Sequence, residues 1–389
     1  RRIYQSHNRV LGGLVLRPHD CDRWTAFVPF PVCSIWGVNA GGPQGVPCNR
    51  CALGKFAWEP GEGAARLKRM NHLDDVRGFR VLPRPETCAG QPRRCGIEIE
   101  FSGMDEKFAA QIIARTLGGH ISQNGPHLHS VEETDIGTVS VELDTRYAKQ
   151  GHQFVPESVL DAARVIVPIE IITAPLPPDQ WDRVIDLTTA LRNAGAKGTN
   201  DSLFAGFGIH FNPEITGFDD PFLIRTIIAY GLIEGWLREW RPLNVSRRIL
   251  PFVDPWPVHF IDALMLSPQL DLTKVGRLVR SHLSGRNYGL DLLPILHAHD
   301  PEGFAVMFGT EASGARPAFH VRLPDCRLDE LDWSIADEWD RWWLVEALAA
   351  DEARFDALCM AWRNGAGHGA GWTHVVSRHI GTHGEGLFK

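Results

Sequence analysis

The chain has 389 residues, a formal net charge of −7, 44% hydrophobic and 22% charged residues, a balance that allows a globular core of normal size. Its pI near 6.2 disfavours a general nucleic-acid binder, and no stretch approaches the roughly 18 apolar residues of a membrane span, so neither nucleic acid nor a membrane is expected as a partner. The apolar part of the N-terminal sequence is short and lacks a small-residue cleavage site, which points to a cytoplasmic location.

At roughly 150 residues per domain the length admits two or three domains. Residues 1–95 read as a separate region, rich in Gly, Pro, Arg and Cys and poor in periodicity. Six of the eight cysteines lie there. Cys48 and Cys51 form a CxxC, and with Cys33 and either Cys21 or His19 they offer four zinc ligands. A single CxxC does not fix that set. Cys88 and Cys95 are further candidates, and free thiols or an odd disulfide are the alternatives. The glycine-rich "GGPQGVPCNR" lacks the Lys-Ser/Thr ending of a phosphate loop and joins no evident strand to a helix.

From Gly96 the pattern changes, and residues 96–389 read as one α+β unit. "CGIEIEF" is a strand, and "MDEKFAAQIIARTLGG" a helix stopped by glycines. "VSVELD" and "RVIVPIEIITAP" are strands two and three, and "PDQWDRVIDLTTALRNAGA" is an amphipathic helix. "GFGIHFNP" is a fourth strand, "DPFLIRTIIAYGLIEGWLREW" a long apolar helix and "PAFHVRLPD" a fifth strand. Residues 334–365 then read as one long helix, in which Trp339 and Trp343 share a core-facing side. "NGAGHGAGW" and "GTHGEGLFK" read as loop and tail.

The strands carry charge in their middles. Strand side chains alternate between faces, so residues two apart share one. Glu98 and Glu100 pair in this way, as do Glu142 and Asp144, His210 and Asn212, and His320 and Arg322, while Glu170 sits within "VPIEIIT". A glutamate in a single strand usually faces solvent. Five strands with mostly carboxylate or imidazole at their centres form a pattern that an ordinary solvated face, mixed in Lys, Thr and Ser, does not show. Carboxylates packed so closely repel unless a cation or arginine offsets them, and the donor set suits Mg²⁺ or Mn²⁺ serving phosphate chemistry. Arg247, Arg248, Arg286 and Arg322 supply planar forks for phosphate or carboxylate.

The ordered set "GIEIEF", "VPIEIITAPLP", "ALRNAGA…GFGIHFNP", "RNYGLDLLPIL" and "FHVRLPD" resembles the amidoligase family of the carboxylate–amine ligase superfamily, over roughly residues 95–350. The resemblance implies an antiparallel, glutamine-synthetase-like funnel sheet flanked by helices. It implies ATP and Mg²⁺ or Mn²⁺ on the concave face, and an amide formed from an amino-acid or peptide carboxylate and an amine through an acyl phosphate. It places Glu98, Glu100 and Glu170 at metals and His210 at a metal or the nucleotide; the charged-strand pattern adds Glu142 and His320 to the metal set, and Asn212, Arg247 and Arg248 to the nucleotide contacts. Arg322, Arg286 and Asp144 form the catalytic set. Three positions depart from the family pattern: His320 stands for a glutamate, Asp291 for an asparagine and Asn212 for a second histidine. A guanidino or carboxyl kinase on the same sheet, or an inactive ligase-like binding domain, are the competing expectations. No HExxH or Asp/His metallohydrolase signature is present.

Overall fold

Alternation along Cys95–Phe101 (β1) separates Cys95, Ile97, Ile99 and Phe101, all buried in the hydrophobic core, from Gly96, Glu98 and Glu100 on the other face. That division organises the molecule. In a computed structural model the described residues are 78–143, 167–201, 205–249, 253–310, 314–369 and 371–387. Asp144 and Cys21, Cys33, Cys48 and Cys51 lie outside them.

After β1 the chain forms α1 (Glu106–Leu117) and a meander of β2 (His120–Gly125), β3 (Leu128–Thr134) and β4 (Gly137–Leu143). Next come β5 (Ile169–Thr173), α2 (Asp182–Asn193), β6 (Ile209–Pro213), α3 (Pro221–Trp240) and α4 (Val245–Ile249). The helices α5 (Val258–Leu266) and α6 (Leu272–His282) lead to β7 (Leu290–Asp291), α7 (Leu293–His299), α8 (Pro301–Phe308) and β8 (His320–Val321). The helices α9 (Ile335–Ala350), α10 (Glu352–Arg363) and α11 (Trp372–Ile380) follow. Eight strands make one open sheet in the order β2-β3-β4-β5-β1-β6-β8-β7, antiparallel throughout. The architecture is α+β, and among the described residues no helix is long and apolar enough to cross a membrane.

Local chemistry sets the helix limits. Asp105 caps α1 by accepting the amide of Phe108 at 2.7 Å, and Gly118 and Gly119 end it at φ of 76° and 90°. Asp220 caps α3 ahead of Pro221 at its first position. Helices α1, α2 and α9 cover the apolar sheet face. The Trp339 ring meets Phe211 of β6 at 5.3 Å and Trp181 at 4.9 Å, both edge-on, and its indole N–H donates to Arg80 O.

Three expectations need correction. The single helix over 334–365 is broken at Asp351, whose side chain caps α10 by accepting the amide of Arg354 at 3.1 Å. Strands β2 and β3 escaped the sequence pattern because β2 is a largely exposed edge with no apolar side. The fifth strand shrinks to His320–Val321, since its flanks keep only isolated bridges to the ends of β6, Ala318 with Glu214 and Asp325 with Gly208.

Helix α9 also carries a pH-sensitive group. Burial pushes Asp340 up to about 6, against the opposing pull of Arg80, whose Nε lies 3.0 Å away. The folded state therefore holds this proton more tightly than the unfolded chain. The resulting stability is complete below about pH 4 and is lost as pH rises through about 6. Asp340→Asn should flatten that decline, worth about 2–3 kcal/mol, in denaturant melts at pH 4.5 and 7.5.

Candidate active site

Strand register lays the charged residues in rows across the polar face. Glu142 pairs with Glu170, and Glu170 with Glu100, giving three carboxylates on neighbouring strands. Glu98 pairs with His210, and Gly96 with Asn212. Phe211 pairs with Val321, which sets His210 beside Arg322 and Asn212 beside His320, and His320 in turn pairs with Asp291. One sheet face thus gathers residues that lie more than 200 positions apart in the chain. This face is buried rather than solvated: Glu100, Glu170, His210, Asn212, Asp291 and His320 are all at most 7% exposed.

The contacts are specific. Glu98 Oε2 lies 2.8 Å from His210 Nδ1, and Glu98 Oε1 accepts from Asn212 Nδ2 at 2.9 Å. His210 Nε2 stands 3.6 Å from Glu100 Oε1. The other Glu100 oxygen accepts the Gly208 amide at 2.7 Å. His320 Nδ1 lies between Asn212 Oδ1 at 2.7 Å and Arg316 Nη2 at 3.0 Å. Arg316 also reaches Glu98 Oε1 at 3.6 Å. Ligand atoms of Glu98, His210 and His320 all fall within 4.8 Å of one another, and so do those of Glu100, Glu170 and His210. His210 belongs to both groups.

Burial raises the Glu98 carboxyl, but His320, His210 and Arg316 draw it down further, so it is held well below the usual carboxylate range. Burial likewise pushes the His320 imidazole well below its ordinary range, and attraction to Glu98 does not reverse this. The two groups act on each other: a charged His320 would favour ionised Glu98, while burial works against that charge on the imidazole.

Within this frame the amidoligase family model, whose description reads "Putative amidoligase enzyme", matches residues 91–344, well over half of the chain. The chain belongs to the amidoligase family. No curated protein and no solved structure matches it. The match spans β1 through the middle of α9, and so includes every strand that contributes to the polar face.

The remaining expected site residues take varied positions in this amidoligase sheet. Glu142, half-buried, extends the carboxylate row. Arg322 is half-buried beside His210, with its amide donating to Gly289 O at 2.8 Å. Arg286 donates from both Nε and Nη2 to Asp291 Oδ2, at 2.8 and 2.7 Å, and the other Asp291 oxygen takes the Leu293 amide. Arg247 is 2% exposed, and its guanidinium is committed to Gly206 O, Arg322 O, Pro324 O and the Asp325 carboxylate. Arg248 is exposed on α4. Cys88 is exposed, and Cys95, Cys326 and Cys359 are buried free thiols.

Arg316 is the residue that sequence reasoning missed. It precedes β8 in the unremarkable "GARPAFHV", four residues before His320, and periodicity gives it no weight. Gly208 is another. A Cβ there would meet Arg247 Nη1 at 2.4 Å, and that guanidinium is too tightly bonded to yield. Gly208→Ala is expected to destabilise the fold by about 1–3 kcal/mol, read from the denaturant midpoint, while loosening the amide that holds Glu100.

Proposed function

We propose that the protein is an ATP- and divalent-metal-dependent ligase that joins a carboxylate to an amine through an acyl phosphate. The observation that carries this reading is the pair of buried ligand groups sharing His210 on one antiparallel sheet face. Membership of the amidoligase family supports the amide-forming part.

The donor set fits a hard cation: three carboxylates and two imidazoles, all buried except the half-buried Glu98, with ligand atoms in mutual reach within each of the two groups. Glu98 with His320, and Glu100 with Glu170, would hold such ions, with His210 joining them. When bound, the ions neutralise the phosphoryl oxygens of ATP. A proton on His320 Nδ1, donated to Asn212 Oδ1, keeps that ring neutral and leaves Nε2 free to act as a ligand. Arg316 adds to the pull of His320 and His210 on Glu98 and donates to Asn212 Oδ1.

Amide formation from a free carboxylate is uphill in water, so the acid needs activation. A substrate carboxylate oxygen attacks the γ-phosphorus, the bond to ADP breaks, and an acyl phosphate results. The amine then attacks the acyl carbon and expels phosphate. Both steps place charge on phosphoryl oxygens and depend on positioning and neutralisation, so no serine or cysteine nucleophile is called for. Arg322, beside His210, faces the transferred phosphoryl group. Arg286 and Asp291 brace β7 at the edge of the same face, and Arg247 serves as a strut beneath Gly208.

The test is incubation with ATP, Mg²⁺ and pools of amino acids, peptides and amines, reading ADP, phosphate and ligated mass. ADP with a product lighter by one water than its two substrates is expected. A stable phosphorylated substrate would indicate a kinase instead, and no ATP turnover with any pool would refute the ligase.

A further inference from the structure

A cleft of about 500 Å³ opens beside the carboxylate rows, reaching from Glu98 and Arg316 outward to Arg94 and Glu214. Arg94 and Glu214 flank the ends of β1 and β6 and stand directly opposite each other. Glu214 N donates to Arg94 O at 2.8 Å, and Arg94 N donates to Glu214 Oε2 at 3.1 Å. Opposite charges so placed on an antiparallel pair attract each other weakly. Here the Arg94 guanidinium and the Glu214 carboxylate form no ion pair with each other, or with any other charged group among the described residues. They present one positive and one negative group, side by side, to the same cleft.

The cleft floor between them and Glu98 is Gly96, opposite Asn212. A Cβ on Gly96 would sit 3.6 Å from the Asn212 Cβ, an ordinary contact. Glycine is thus not required by the backbone or by the neighbouring strand. Its effect is to leave the floor of the cleft open. The walls add Ile172, Pro175 and Pro317, which suit a short aliphatic stem.

We propose that this cleft binds the unblocked α-amino-acid end of the substrate, with its carboxylate on Arg94 and its ammonium on Glu214. The stem lies over Gly96, and the rest of the molecule points toward Glu98 and Arg316. The fate of that inner end rests on the ligase reading, whereas recognition of the outer end does not. A blocked or internal residue of a polypeptide lacks one of the two charges and is discriminated against, because either the exposed Arg94 or the half-buried Glu214 then meets no opposite charge in the cleft.

The test is calorimetric titration of the full chain, without nucleotide, with glycine, L-alanine, L-leucine, L-aspartate and L-glutamate, then with their N-acetyl and α-carboxamide forms. At least one free amino acid is expected to bind, with each blocked form weaker by about tenfold or more. Arg94→Gln and Glu214→Gln should each weaken binding similarly. Gly96→Leu should abolish it, and Gly96→Ala, which keeps the floor open, should retain it. The proposal is overturned if none of the five binds, if blocked forms bind as well as free ones, or if Gly96→Leu binds normally. ATP turnover is scored separately in the unmodified protein. Amino-acid binding with no ATP-dependent chemistry would remove the ligase reading and leave this assignment standing.

Discussion

Glu100→Gln is expected to lower ATP-dependent turnover by about 10²–10³-fold while leaving the protein as stable as before, or slightly more so. The two effects have opposite signs for one physical reason. Glu100 is 5% exposed and lies in register with Glu170, which lies in register with Glu142. Three carboxylates on adjacent strands repel, and a neutral amide relieves part of that repulsion. Glutamine keeps the shape and retains an oxygen to accept the Gly208 amide, so the local backbone has no reason to move. What it loses is the negative charge within reach of His210 and Glu170 that a divalent ion would use. Turnover assays paired with denaturant melts distinguish this from simple misfolding. A variant that loses activity and stability together would make Glu100 a structural residue.

The largest stability effect is expected on the opposite, apolar side of the sheet. Arg93 sends two parallel hydrogen bonds of 2.7 Å to Glu346 of α9, with the two side chains 1% and 0% exposed. Its remaining donors reach Glu214 O at 2.6 Å and Arg84 O at 2.8 Å, and the Trp342 indole completes Glu346 at 2.9 Å. Burial works against the Arg93 charge, and Glu346 more than offsets it. Removing one partner leaves the other charged and dry, so Glu346→Ala is expected to cost about 3–5 kcal/mol in chemical denaturation. Replacing both, as Arg93→Met with Glu346→Leu, should recover much of that loss, because the stranded charge is gone. Additive losses would show that the pair is not coupled. The same pair ties the entrance of β1 to the main helix on the opposite face, which ranks it above the exposed ion pairs.

What was legible in the sequence follows the strength of each local signal. β1, α1, α2 and α3 could be read because their apolar spacing or capping residues are strong: Asp105 and Gly118 bracket α1, and Asp220 with Pro221 opens α3. The charged strand centres could be read too, since Glu98, Glu100, Glu170, His210 and His320 stand out against apolar neighbours. Their burial could not, because one strand does not reveal what lies across it. The hairpin of β2 and β3 gave no apolar alternation on its exposed edge, and β8 is too short to carry a period. Arg316 and Arg94 sit outside any regular element, and only the register of β1, β6 and β8 brings them to the cleft. Arg247 illustrates the converse. A paired "RR" reads as phosphate recognition, yet three-dimensional packing turns its first member inward to backbone carbonyls.

The central claim is that the buried carboxylate and imidazole rows hold divalent ions that in turn hold ATP. Its most direct test is the affinity for ATP with and without Mn²⁺, in the unmodified protein and in Glu100→Gln with Glu170→Gln. ATP binding that needs the metal, and that falls by about 100-fold or more in the double variant, is predicted. ATP binding that is independent of Mn²⁺ and unchanged in the double variant would contradict the account.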